Sequence, residues 1–170
     1  PPSPCVPPMF PWEPSCDDDY YGDEEEESSP IEPLTSVVFP SSLKSIGERA
    51  FEENALTSVE FNEGLETIGR WAFAANSLSS VEFNTGLVSI RDYAFQGNRI
   101  TGSVEFNEGL KTIGYGAFMN NKKITSVKFN EGLETIDSSV FYDNNLTSVE
   151  FPGSLKSIGQ RAFMVNENLT

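Results

Sequence analysis

The chain is 170 residues long, with 26 acidic and 11 basic side chains and a formal net charge of −15. That charge excludes unaided attraction to nucleic acid or to an anionic membrane, and no run of 18 apolar residues is present to cross one as a helix. Histidine is absent, which removes the commonest general base and the usual zinc ligand, whereas 13 phenylalanines and a hydrophobic content of 38% suffice for a core.

Residues 1–33 hold 10 of the 26 acids, 9 of the 11 prolines and no Lys or Arg. Proline-rich backbone stays extended and solvated, so this segment is expected to be an arm rather than a domain. Glu24, Glu25, Glu26 and Glu27 repel one another and favour extension. With Asp17, Asp18 and Asp19 they surround Tyr20 and Tyr21, a pattern that resembles acceptor sites for tyrosine sulfation. Two readings stand: capture of a basic surface, or a soluble spacer. Cys5 and Cys16 both lie in the arm. A disulfide between them would close a 12-residue loop, worth roughly 3 kcal/mol of chain entropy, and would point to an oxidising compartment. The other reading is a pair of free thiols. The chain opens on Pro1 without a hydrophobic signal core, so a processed protein or a fragment is expected.

From Leu34 the sequence repeats. Copies begin at Leu34, Leu56, Leu78, Ile100, Ile124 and Leu146, at spacings of 22, 22, 22, 24 and 22 residues. Leucine-rich columns at that period predict a β-rich leucine-rich-repeat solenoid over residues 34–170, with six coils of 22–24 residues. In each coil a Val and a Phe stand two apart (Val37 and Phe39, Val59 and Phe61), which puts both on one face of a short parallel strand. Val38, Glu60, Glu82, Glu105, Lys128 and Glu150 then face outward. Four Asn-x-Gly turns follow, such as Asn62 to Gly64, read as sites of positive φ. A second apolar stretch (Leu65, Ile68) predicts a second short strand or corner. Ala72-Phe73 and its equivalents predict a helical or 3₁₀ turn. Two Phe per coil predict two continuous columns, each coil's core being completed by its neighbours. Gly102 reads as an inserted residue making a bulge in the fourth strand. Asn54, Asn76, Asn98, Asn121, Asn145 and Asn168 are read as a structural column of stacked amides.

The pattern L-x-x-V-x-F-x-x-x-L-x-x-I-G-x-x-A-F resembles BspA-like leucine-rich repeats, also called the Treponema pallidum type. The resemblance covers residues 34–170, with local departures: Arg91 and Asp137 replace the glycine, and Val140 replaces the alanine. It implies a right-handed solenoid on a cell surface or secreted, with a non-enzymatic adhesive or structural role.

The residues themselves offer no catalytic set. The recurring serines (Ser36, Ser58, Ser80, Ser103, Ser126, Ser148) belong to the repeat and no histidine activates them. No cofactor or metal is expected. The outward glutamates read either as a face for a basic partner or a divalent cation, or as a solvated edge, and Lys128 interrupts them. Variable columns are the better place for a contact surface. Trp71 and Tyr93 share such a column, flanked by Arg70 and Arg91, with Tyr115 one position over; arginine with exposed aromatics marks binding hot spots. The alternative is aromatic caps over the turn. Asn145 and Asn168 match the N-glycosylation acceptor pattern, in a eukaryotic host, at positions where the repeat already places asparagine. The expected function is an extracellular or cell-surface protein-binding or adhesion module. The alternative is a subunit stacking head to tail into an extracellular filament through uncapped ends and the arm.

Overall fold

A computed structural model describes residues 32–170; the arm's acids other than Glu32, its two tyrosines and the Cys5–Cys16 pairing lie outside them. Coil 1 contributes strands β1 (Ser36–Val38) and β2 (Ser45–Ile46), and coil 2 contributes β3 (Ser58–Glu60) and β4 (Thr67–Ile68). Coil 3 gives β5 (Ser89–Ile90), and coil 4 gives β6 (Thr101–Glu105) and β7 (Thr112–Ile113). Coil 5 gives β8 (Lys123–Lys128) and β9 (Thr135–Ile136), and coil 6 gives β10 (Ser148–Glu150) and β11 (Ser157–Ile158). Every pairing is parallel and joins one coil to the next, so the fold is the β-solenoid that the repeat predicts. Strands β2, β4, β5, β7, β9 and β11 form one six-stranded sheet in which Ile46, Ile68, Ile90, Ile113, Ile136 and Ile158 stand in register. On the other side β1 pairs with β3, and β6, β8 and β10 make a separate sheet. The strand expected around Val81 and Phe83 is not formed. The neighbouring coil carries the Gly102 bulge, where the β6–β8 register shifts, and the ladder between coils 3 and 4 does not propagate past Thr101 N–H to Ser79 O.

Both phenylalanine columns form. Phe39, Phe61, Phe83, Phe106, Phe129 and Phe151 stack at 5.5–6.2 Å between centroids. Phe51, Phe73, Phe95, Phe118, Phe141 and Phe163 stack at 5.2–5.5 Å. The columns meet edge to face, as Phe61 meets Phe73 at 5.6 Å. Such pairs add about 0.5–1.5 kcal/mol each beyond the area they bury.

Three expectations need correction. The Ala-Phe segment is not helical, and no helix occurs among the described residues. Trp71, Phe73 and Ala75 donate their N–H groups to Asp92, Ala94 and Gln96 of the next coil, and only Ala72 and Ala74 donate back three residues. Residues 71 and 75 are left-handed, at φ 51 and 54, and the same two positions recur in every coil, so a right-handed helix cannot continue. Conversely, the Asn-x-Gly turns lack the positive φ expected of them, apart from Gly132 at φ 111. Their residues are set by close approach: a Cβ on Gly64 would lie 2.8 Å from Ser41 O, while Asn62 Nδ2 donates to Leu43 O at 2.9 Å.

The third correction concerns the asparagine column. Asn76, Asn98, Asn121, Asn144 and Asn166 are buried, whereas Asn145 and Asn168 stand outside and Asn168 Nδ2 donates to Asn145 Oδ1 at 2.8 Å. The buried amides bond to backbone rather than to each other. Asn98 Oδ1 accepts Leu78 N–H at 3.1 Å, and its Nδ2 donates to Phe73 O and Phe95 O at 2.8 and 3.1 Å. A single side chain thus ties two coils together, beside the backbone bonds from Phe73 N–H to Ala94 O and from Arg99 N–H to Leu78 O.

Candidate binding surface

The left-handed backbone at residue 71 turns its side chain out of the coil. The equivalent positions hold Arg49, Trp71, Tyr93, Gly116, Ser139 and Arg161, at φ between 51 and 58. Trp71 and Tyr93 stack at 5.2 Å with their planes 8° apart, and Tyr115 meets Tyr93 edge-on at 5.1 Å. The Arg49 and Arg70 guanidiniums lie 4.3 and 4.1 Å from the Trp71 ring centroid. The result is a continuous strip of cation and π systems running across coils 1 to 4. Four of the five residues singled out from the sequence (Arg70, Trp71, Tyr93, Tyr115) come together in it. Arg91 lies instead on the groove beside it. Arg49 was missed, although it occupies the Trp71 column one coil earlier.

The strip stops where the side chain vanishes. A Cβ on Gly116 would lie 2.9 Å from Cδ1 and Cε1 of Tyr93, so that ring lies over bare backbone. Burial pushes the Tyr93 phenol above its ordinary range, Tyr115 adds to the shift, and Arg70 pulls the other way. Tyr115 is 37% exposed and Arg49 and Arg70 reach solvent, so the strip can be touched from outside.

The outward glutamate column faces solvent. Glu60, Glu82, Glu105 and Glu150 are exposed, and Lys128 Nζ lies 3.3 Å from Glu105 Oε2. Similar pairs join coils elsewhere, as Lys156 Nζ meets Glu134 Oε2 at 2.9 Å and holds that carboxyl below its usual range. Solvent screens exposed pairs of this kind, so they add little to stability. No group of three or more metal-ligating side chains is present among the described residues.

A family model described as "BspA type Leucine rich repeat region (6 copies)" matches residues 30–110 and 88–170. Solved structures share the fold. A leucine rich cell surface protein from Faecalibacterium prausnitzii is 23% identical with a TM-score of 0.67, over 81% of this chain and 38% of that one. The pneumococcal vaccine antigen PcpA is 20% identical with a TM-score of 0.68, over 79% and 38%. A leucine rich repeat protein from T. pallidum is 25% identical with a TM-score of 0.53, over 79% and 56%. The chain therefore spans less than two thirds of the length of each. Comparison with curated proteins gives no match.

Proposed function

We propose a function from one premise, that the chain belongs to the BspA-type leucine-rich repeat family: it is an extracellular or cell-surface adhesion module that binds protein. The solenoid is the rigid scaffold, and the strip of Arg49, Arg70, Trp71, Tyr93 and Tyr115 is the contact surface. The observation that carries this reading is the strip itself: Trp71, Tyr93 and Tyr115 pack ring to ring outside the phenylalanine core, with the Arg49 and Arg70 guanidiniums 4.3 and 4.1 Å from the Trp71 centroid. A stacked aromatic strip with guanidiniums at its flank is the composition of an interface hot spot. The F. prausnitzii neighbour is a leucine rich cell surface protein, which supports such a location. The acidic arm would add capture of a basic patch on the same partner.

The experiment is binding of the purified chain to matrix and cell-surface proteins, compared with a Trp71→Ala/Tyr93→Ala variant. The variant should keep its circular dichroism and lose affinity by about tenfold or more, as truncated hot spots do. Unchanged binding by a folded double variant removes the strip as the contact surface. Electron microscopy of the same sample decides the competing role: uniform fibres would assign a filament subunit, and dispersed particles at high concentration would dismiss it.

A further inference from the structure

The loops that follow the second phenylalanine column differ from coil to coil. One position past the asparagine column stand Ala55, Ser77, Arg99, Lys122, Asn145 and Glu167, so coils 3 and 4 are basic there. Phe118 and Ile124 are six residues apart where Phe95 and Ile100 are five, and the extra residue of coil 4 puts Lys123 beside Lys122. Insertions in a repeat array often mark its binding face.

Arg99, Lys122 and Lys123, with Asn98 and Asn120, line a cavity of about 320 Å³. No carboxylate lines it, in contrast to the groove beside the aromatic strip, where Glu48, Asp92 and Asp137 accompany Arg70 and Arg91. The neighbouring loop of coil 2 presents only Ala75 and Ser77. On the other side, Asp143 of coil 5 meets Lys122 Nζ through Oδ2 at 3.3 Å, and Glu167 lies further on in coil 6. Arg99 and Lys123 are exposed and have no ion pair among the described residues. Asn120 stands on left-handed backbone at φ 61, and its side-chain amide makes no hydrogen bond among the described residues.

We propose that this cavity binds a phosphate dianion, free or as the monoester of a small sugar. Three cationic heads supply more charge than one carboxylate neutralises, whereas a phosphate carries about −2 and three terminal oxygens. The Arg99 guanidinium meets two of those oxygens with parallel N–H donors, and the Lys123 ammonium meets the third as a point charge. Lys122 is shared between the ligand and Asp143, and the Asn120 amide is left to bond an oxygen or a sugar hydroxyl. The chain's charge of −15 opposes an anion at long range, but that field is screened beyond ~8 Å at physiological ionic strength, while direct contacts survive. None of these residues belongs to the aromatic strip, so the inference stands whether or not the strip meets a protein.

Nuclear magnetic resonance titration of the full chain reads both affinity and place, with inorganic phosphate, glucose 6-phosphate and glucuronate as probes. Both phosphates should shift the Asn120, Lys122 and Lys123 amides. Glucuronate, with a single charge on two oxygens, should bind several-fold more weakly. Equal affinity for the two phosphates assigns the free ion, and tighter binding of glucose 6-phosphate assigns the sugar ester. Affinity should rise up to about tenfold between about pH 5 and 7, because a phosphate monoester loses its second proton near 6 and the chain has no histidine to titrate there. Arg99→Gln should weaken binding about tenfold. Asp143→Asn, which frees Lys122, should tighten it, an effect that a purely structural role for the cluster does not produce. The proposal is overturned if neither phosphate moves those amides, if glucuronate binds equally well, if affinity is flat with pH, or if either variant, folded by circular dichroism, binds as the parent does.

Discussion

Two chemically identical substitutions in the buried asparagine column should have different costs. Asn98 bonds through both ends of its amide, whereas Asn121 Oδ1 is buried without a partner and only its Nδ2 is used, toward Phe95 O and Phe118 O at 2.9 and 3.1 Å. In Asn98→Ala the carbonyls of Phe73 and Phe95 keep one donor each, from Asn76 and Asn121. The N–H of Leu78 loses its acceptor, and an orphaned buried N–H costs about 1–3 kcal/mol. In Asn121→Ala the carbonyls of Phe95 and Phe118 likewise keep Asn98 and Asn144 as donors, no N–H is orphaned, and an unsatisfied acceptor disappears. Both substitutions delete the same side-chain atoms, so the comparison isolates the Leu78 N–H as far as the two sites relax alike. Asn98→Ala should therefore be the more destabilising by ~1–2 kcal/mol. Urea unfolding measures this, provided both variants keep the parent's m value, since a repeat array can lose cooperativity. Equal costs, or a larger one for Asn121→Ala, would refute the assignment of the column's strength to that single backbone N–H.

Gly116→Ala places a side chain on left-handed backbone and against the Tyr93 ring, so it should destabilise by about 1–3 kcal/mol and change the near-ultraviolet circular dichroism of the strip; an unchanged spectrum would show that Tyr93 does not lie there. The raised Tyr93 phenol keeps its proton to higher pH in the folded chain than in the unfolded one, so its stability contribution is complete below the unfolded value near 10 and is lost as pH rises through the folded value. Ultraviolet titration of Tyr115→Phe should bring the Tyr93 value part of the way down, burial accounting for what remains, and no movement would remove Tyr115 as a cause.

Much of this was legible from the residues. Val and Phe two apart, a period of 22 and an isoleucine column demand parallel strands whose faces are completed by the next coil, and Phe39 to Phe151 duly stack. The left-handed columns were not legible, because Arg49, Trp71, Tyr93 and Ser139 carry none of the glycine or asparagine signal that marks positive φ. They are imposed by N–H groups reaching the next coil, a contact invisible along a single copy. The asparagine frame slipped for a different reason. Adjacent asparagines at 144 and 145, and another pair at 166 and 168, satisfy the pattern equally well until the count is taken from the buried Phe, three residues before. Arg49 was overlooked because its own coil holds no aromatic in that column; its partner ring belongs to the next.

The same hydrogen bonds explain how a variable surface can rest on an invariant interior. Trp71 N–H is held by Asp92 O at 3.0 Å and Tyr93 N–H by Tyr115 O at 2.8 Å. The backbone at each variable position is thereby clamped to the following coil, whatever side chain it carries. Two residues further on, Phe73 and Phe95 fill the core and their own N–H groups repeat the clamp. A side chain mounted on backbone fixed in this way forfeits little freedom of main chain on meeting a partner, and preorganisation of that kind turns contact area into affinity. On the proposed function, substitution along the Arg49–Trp71–Tyr93 column retunes what is bound while the inter-coil backbone bonds stay in place. Substitution at Asn98 or Phe95 can do only the reverse.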